Sequence, residues 1–327
     1  MHTPDPGRRL VALALLAAVS AAPALAAHAA DAWPSKPITI VAPFGPGSGT
    51  DVTSRLYAKF ITEETGATVV VENRPGANAM IGSALVAKAA PDGYTVLMGS
   101  GTANAANYAL YADRITYRPE QFSAVSVVFV TPPVIFAAPQ VKGATVGEAL
   151  ASAKASAKGA SCGTGNAVTL VACSLLSKLG RTDLVPVSYK GNAQSLTDLA
   201  GDQITLAISD MGAASTFVQS GRVRPVAVAA KSRLDALPGI PAAPEQGFDM
   251  DFLSWNAVFV PAGTPEPIVR RLNAAARRMI TSPEGQKLRV SSAGLPVSGD
   301  LDDARRFVAD EIAKWTKYVR ETGVKVE

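Results

Sequence analysis

Three times in this chain a run with strand character ends in a glycine, a small polar residue and a second glycine, then passes into a run with helical character. The turns are Gly47-Ser48-Gly49-Thr50, Gly99-Ser100-Gly101-Thr102 and Gly163-Thr164-Gly165-Asn166. Such turns restrict the fold to βα units, and they also make anion sites. Glycine lets a ligand approach the backbone, the first N–H groups of a helix lack internal partners, and the helix dipole adds about half a positive charge there. Taken singly, each turn reads as an ordinary N-capped βα loop; three in one chain point to a ligand site.

The segments around the turns extend this pattern. Residues 37–43 read as a buried strand, and 50–65 carry Val52, Leu56, Phe60 and Ile61 at helical spacing. A strand over 68–72, a helix over 81–90 and a strand over 94–98 follow, the last bounded by Pro91-Asp92-Gly93. This β-α-β-α-β order predicts a parallel sheet with helices on both faces. The apolar stretch 124–138 is too long for one strand and is interrupted by Pro132-Pro133, which places a hinge between domains there. Helices over 146–158, 167–179, 193–200 and 211–220 then alternate with strands over 160–162, 184–188, 204–209 and 223–229, a second doubly wound domain. The Pro-, Gly- and Ala-rich segment 237–251 reads as a return connection into a strand over 254–260. Helices over 265–280, 283–292 and 301–322 close the chain. The last places Ala304, Phe307, Val308, Ile312, Trp315 and Val319 on one face and is expected to pack on the first domain.

Composition narrows the function. The chain has 327 residues, 48% apolar and 18% charged, enough for two ordinary domains with a large core. Arg8 and Arg9, the apolar stretch 10–22, Pro23 and the small-x-small sites Ala24-Leu25-Ala26 and Ala27-His28-Ala29 read as a secretory signal peptide over residues 1–29, cleaved after Ala26 or Ala29. Its loss turns 31 basic and 27 acidic residues into 29 and 26, a net charge of +3. These charges are dispersed, which argues against nucleic acid or a polybasic membrane contact. Both histidines, His2 and His28, lie in the leader, so a chain cleaved after Ala29 lacks the residue that Ser-His-Asp and Cys-His hydrolysis and histidine-ligated metal sites require. No catalytic residue, metal or cofactor is expected. Cys162 and Cys173 are expected as two buried thiols, because a helix starting near Thr164 carries Cys173 roughly 13 Å along its axis.

None of the turns completes a nucleotide motif: no Gly-Lys-Ser/Thr follows the first, and the third glycine of G-x-G-x-x-G is missing from each. Asp51 reads first as a helix cap and second as a contact to a ligand amine. Phe44 reads as part of a cleft floor. Tyr189-Lys190-Gly191 and Asp210-Met211-Gly212 follow strands and read as solvated loops, while Trp33, Trp255 and Trp315 read as packing residues.

Longer motifs carry a resemblance. They are Trp33-Pro34-Ser35-Lys36-Pro37-Ile38-Thr39-Ile40-Val41, Pro43-Phe44-Gly45-Pro46-Gly47, Asp51, Arg55, Val71-Glu72-Asn73-Arg74-Pro75-Gly76-Ala77 and Ala90-Pro91-Asp92-Gly93-Tyr94-Thr95. Tyr189-Lys190-Gly191, Asp198-Leu199, Pro238-Gly239-Ile240-Pro241, Glu245-Gln246-Gly247, Pro261-Ala262-Gly263-Thr264-Pro265 and Glu311-Ile312-Ala313-Lys314-Trp315 follow in order. Across effectively the whole mature chain this resembles the extracytoplasmic substrate-binding proteins of tripartite tricarboxylate transporters, the Bug family.

The resemblance implies an α/β, bilobed periplasmic-binding-protein fold, two doubly wound sheets joined by a two-crossing hinge. Lobe 1 would comprise residues 30–130 plus 253–327, and lobe 2 residues 131–252. It implies a monomeric receptor that closes on a small organic mono- or dicarboxylate, held by amides, hydroxyls and bridging waters, and delivers it to the membrane permease subunits. Carried over by position, the lobe 1 contacts are Phe44, Gly45, Pro46, Gly47, Ser48, Gly49, Thr50, Asp51, Ser100, Gly101 and Thr102. Those of lobe 2 are Thr164, Gly165, Asn166 and Thr169, with Tyr189 and Asp210. The chain departs from the family at Gly47-Ser48, usually a double glycine. It departs again at Asn78-Ala79-Met80-Ile81-Gly82, usually Gly-Gly-Asn-Ile-Gly, and at Thr169, commonly histidine. Two other readings are a secreted α/β hydrolase using Ser48 with Asp51, and a ligand sensor for a signalling kinase.

Overall fold

The computed structural model describes residues 33–324; the signal peptide expected over 1–29 lies outside the described residues. Strand β1 (Ile38–Ala42) runs through the first glycine turn into helix α1 (Gly49–Thr65). Local chemistry sets both ends of that helix. The Ser48 hydroxyl accepts from the Asp51 N–H at 3.2 Å, and Gly66 ends the helix in the left-handed region at φ 73°. Strand β2 (Val69–Asn73), helix α2 (Met80–Ala87) and strand β3 (Thr95–Ser100) follow. After the second glycine turn comes a π-helical turn (Thr102–Ala106) that runs into the short helix α3 (Asn107–Leu110).

The chain then changes sheets. Strand β4 (Phe122–Thr131) ends at Pro132-Pro133 and β5 (Val134–Ala137) begins the second sheet. Helix α4 (Val146–Lys154), β6 (Ser161–Thr164), α5 (Ala167–Leu179), β7 (Val185–Ser188), α6 (Asn192–Ala200), β8 (Leu206–Ser209), α7 (Met211–Gln219) and β9 (Arg224–Val228) complete the second series. Strand β10 (Ser254–Pro261) returns to the first sheet, followed by α8 (Glu266–Thr281), α9 (Pro283–Ser291) and α10 (Leu301–Thr322).

The two five-stranded sheets have the orders β2-β1-β3-β10-β4 and β7-β6-β8-β5-β9. Four strands of each sheet run the same way, three of them paired in parallel as expected, and one is reversed: β10 is antiparallel to β3 and β4, and β5 to β8 and β9. The reason is the crossing. Val134 at the start of β5 pairs with Ser209 at the end of β8, and Asn256 near the start of β10 pairs with Ser100 at the end of β3. A strand arriving from the other lobe enters at the carboxyl ends of the parallel strands and can only run away from them. Ala229 ties the two crossings, donating to the Pro133 carbonyl at 2.9 Å and accepting from the Phe252 N–H at 2.8 Å. The glycine turns therefore gather on the side of each sheet where the chain crosses, the side on which open α/β sheets bind ligands.

One face of the first sheet packs Ile38, Ile40, Val96 and Met98 against Tyr57, Phe60 and Ile61 of α1 and Leu272 of α8. The Tyr57 hydroxyl donates to the Leu272 carbonyl at 2.8 Å within this layer. Helix α10 packs on the first lobe as expected, with Trp315 wholly buried and the Trp255 indole N–H donating to Glu311 at 2.9 Å. Its end also reaches the second lobe, where Lys178 donates to the Glu321 carbonyl at 2.7 Å.

The cysteines correct an expectation: Cys162 and Cys173 are disulfide-bonded rather than free thiols. Distance along a helix axis was the wrong measure. Helix α5 folds back beside β6, the strand that feeds it, so two turns of helix bring Cys173 to a Cα separation of 6.3 Å from Cys162, within bridging range.

Candidate functional site

The first turn is open and held from behind. A Cβ built on Gly45, Gly47 or Gly49 meets nothing within 4 Å, and Gly47 sits at φ 79°, a conformation that suits glycine. Asp51 is the latch. One of its carboxylate oxygens accepts from the Gly47 N–H at 2.9 Å and from Arg55 Nε at 3.1 Å, the other from Asn73 Nδ2 at 2.9 Å and from Arg55 at 3.0 Å. Burial alone would raise its pKa, but the hydrogen bonds from Arg55, Gly47 and Asn73 outweigh burial and hold it below the ordinary aspartate value. With both oxygens engaged, Asp51 shapes the turn. The Phe44 carbonyl accepts from the same Asn73 amide at 3.0 Å, and the Phe44 side chain stays half-buried at the end of β1. Pro46, Gly47 and Gly49 are exposed, Gly45 and Ser48 partly so. At the start of α1 the N–H groups of Gly49 and Thr50 stand outside the helical ladder, Gly49 exposed and Thr50 buried beneath it with its hydroxyl bonded to Asn256.

The second turn faces inward. Ser100, Gly101 and Thr102 are buried, the Ser100 hydroxyl accepts from the Ala103 N–H at 3.1 Å, and the Ser100 N–H donates to Asn104 at 3.2 Å. A Cβ on Gly101 would lie 3.1 Å from the Trp255 indole nitrogen. Asn256 ties this buried turn to the first, donating to the Gly99 carbonyl and to the Thr50 hydroxyl.

The third turn is also tightly packed. A Cβ on Gly165 would collide with Asn192, and one on Gly163 with Ser195. Asn166 and Thr169 cap α5 reciprocally: Thr169 N–H donates to Asn166 Oδ1 at 3.0 Å, and the Thr169 hydroxyl accepts from the N–H groups of Gly165 and Asn166 at 3.0 and 3.2 Å. Thr164 is buried at the end of β6. Tyr189 donates to Asp198 at 2.9 Å, and burial followed by that carboxylate pushes its hydroxyl up to about 12. Asp210 caps α7 through the Ala213 N–H at 2.8 Å and accepts from Asn192 Nδ2 at 3.1 Å. The structure therefore brings Gly165, Asn192 and Asp210 together, while Tyr189 turns toward α6.

Cavities of about 320 and 250 Å³ lie elsewhere, flanking α10 on the first lobe. Among the described residues no helix is long and apolar enough to cross a membrane, and no group of three acidic, cysteine or histidine side chains converges as a metal site.

Residues 53–324 match the Tripartite tricarboxylate transporter family receptor. The chain belongs to this family. It is 33% identical over 306 residues to Protein BugT of Bordetella pertussis, covering 91% of this chain and 93% of that one. It is similar in structure to R. palustris Rpa4515 with adipate, at 29% identity and a TM-score of 0.82, covering 90% and 99% of the two chains. It is also similar to MatC from Rhodopseudomonas palustris with bound malate, at 27% identity and a TM-score of 0.79, covering 88% and 100%.

Within this tricarboxylate-transporter receptor, the residues that sequence reasoning missed are asparagines. Asn73 braces the first turn, Asn192 sits under the third, and Asn256 lies between the first and second. Asn73 stood in a quoted motif without a role; Asn192 and Asn256 carried no sequence signal. The family departure at Asn78-Ala79 also acquires a physical meaning. Ala77, Asn78 and Ala79 have φ of 47°, 50° and 71°, values that glycines adopt without the roughly 1–2 kcal/mol an L side chain incurs. Asn107 holds this loop by donating to the Asn78 carbonyl at 2.8 Å, and Asn78 in turn donates to Tyr111.

Proposed function

We propose that this chain is a periplasmic solute receptor. It captures a small organic mono- or dicarboxylate between a lobe of residues 30–130 plus 253–327 and a lobe of residues 131–252, and delivers it to the membrane permease of a tripartite tricarboxylate transporter. The observation that carries this reading is the first turn: three unobstructed glycines at the start of a 17-residue helix, with the nearest carboxylate, Asp51, already saturated. Such a turn offers N–H groups, a hydroxyl and a helix dipole to an anion, and the negative charge of Asp51 beside it is countered by Arg55. Relatives at 27% and 29% identity have been solved with malate and adipate, acids of this class.

The ligand is held first at Phe44 to Thr50, with Ser100 to Thr102 as backing. The opposite wall is the start of α5 at Thr164 to Thr169 with Asn192 and Asp210. Closure desolvates the carboxylate while amides from both lobes replace its water. The receptor works as a monomer, and it reaches the periplasm through a signal peptide over residues 1–29.

The protein acts by binding rather than catalysis. Ser48 Oγ accepts from a backbone N–H, and the Asp51 carboxylate is engaged by Gly47, Arg55 and Asn73, which supports capping and bracing roles for this serine and acid over a hydrolytic pair. A thermal-shift panel of malate, adipate, citrate, aspartate and benzoate tests the reading. An acid at a hundred times its dissociation constant adds about 2.7 kcal/mol of stability. A panel without any shift, or a mass increase on treatment with a serine-directed phosphonate, would overturn it.

A further inference from the structure

Asn256 enters the first lobe on β10, just after the return crossing, and is buried between the two first-lobe turns. Its Nδ2 donates to the Thr50 hydroxyl at 3.1 Å and to the Gly99 carbonyl at 3.4 Å, and its Oδ1 lies 3.4 Å from the Thr53 hydroxyl, whose proton goes to the Gly49 carbonyl at 2.8 Å. A backbone carbonyl can only accept, so the nitrogen of the amide must face Gly99, and the orientation of the group follows from chemistry. Both amide protons are then committed, one to each turn.

The consequence falls on Thr50. A hydroxyl has one proton to give. Because Thr50 Oγ1 already accepts from Asn256, its own proton points elsewhere, and no group among the described residues receives it. Thr50 is the second residue of α1, beside the open glycines and the free N–H groups of the helix start. We infer that Asn256 is a positioning residue that makes the Thr50 hydroxyl an obligatory donor to the ligand's carboxylate; this rests on the receptor reading above. The same amide locks the second turn to the first through Gly99, so a strand arriving from the hinge sets the polarity of the site. Recognition is then for an acceptor-only group, an ionised carboxylate.

The experiment is titration calorimetry with the tightest-binding acid of the panel on the full mature protein. The variants are N256D, T50V and T50S, and N256D combined with each Thr50 variant; ligand-free unfolding serves as the folding control. The introduced carboxylate in N256D has nearly the size of the amide but only accepts, so it takes up the Thr50 proton. Affinity is expected to fall about thirtyfold or more in N256D and about tenfold or more in T50V, the range of one hydrogen bond to a charged group. T50S is expected to regain most of what T50V loses. N256D is expected to remain costly in the T50S background and to cost less than about fivefold in T50V, where there is no proton to redirect. An equal loss from N256D in both backgrounds would mean charge repulsion alone and overturns the inference, as does unchanged affinity in N256D. If N256D fails to fold, the Thr50 pair decides: equal affinity of T50V and T50S overturns the inference. A wild type that binds no acid of the panel overturns the receptor reading itself, a result distinguishable from all of these.

Discussion

The first and third glycine turns look alike in sequence and are built in opposite ways. Gly45, Gly47 and Gly49 face open space, and their turn is held locally by Asp51 and from distant segments by Asn73 and Asn256. Gly163 and Gly165 are glycine because α6 packs against them, and their turn is held locally by the Asn166 and Thr169 cap and by the Cys162–Cys173 bond. One turn leaves the space beside its glycines open, the other fills it with packing. The same motif can therefore mark a binding surface or a tight interior joint, and only the neighbours distinguish them.

The largest effect that can break this comparison is loss of the disulfide. Replacing both Cys162 and Cys173 by alanine opens a loop with a sequence separation of 11 and should lower unfolding free energy by about 3 kcal/mol, measured by denaturant melts. A change below about 1 kcal/mol would mean that the local cap alone holds the third turn.

A paired glycine test comes next. Gly165→Ala drives a methyl into Asn192 and should destabilise by about 2 kcal/mol, whereas Gly49→Ala, with nothing within 4 Å, should stay within about 0.5 kcal/mol of the parent in the same melts. In calorimetry, Gly49→Ala should weaken the acid about tenfold, because its methyl occupies ligand space. Equal destabilisation by the two variants would erase the distinction between the turns.

The smallest expected effect concerns the latch. Asp51→Asn removes charge-assisted acceptors from Gly47 and Arg55 and should lower stability at pH 7 by about 1 kcal/mol. The folded-state pKa of Asp51 is depressed, so its contribution is full above the unfolded value and is lost as pH falls through the folded one. Unfolding curves of parent and variant should therefore begin to converge below about pH 4 and meet only once pH is below the depressed folded-state value, and a gap that persists at that acid limit would assign the effect to packing.

Much of the architecture was legible along the chain. The amphipathic stripe of α10, the Asn166 cap before α5 and the interruption at Pro132-Pro133 are written in neighbouring residues, and helix bounds such as Ala167–Leu179 and Leu301–Thr322 follow from periodicity and caps. The parallel pairing of the β-α-β-α-β unit was legible too, whereas the antiparallel placement of β5 and β10 was not, because strand direction depends on where a strand enters, and these two enter from the other lobe. The free thiols failed for a related reason: α5 reverses against β6, a relation that helix rise does not contain. Of the residues carried over into the site, Asp51 and Thr169 turn out to spend their polar atoms on their own turns.

By itself the sequence determined the βα order, the three glycine turns, the sheet change at Pro132-Pro133 and the family motifs, because caps, breakers and periodicity act over a few residues. Tertiary structure alone decided which turn opens outward and what holds it. Asn256 reaches Thr50 across 206 positions and Gly99 across 157, and the emptiness around Gly49 depends on what does not pack there. Those are relations between distant segments, set only when the return strand closes the first sheet.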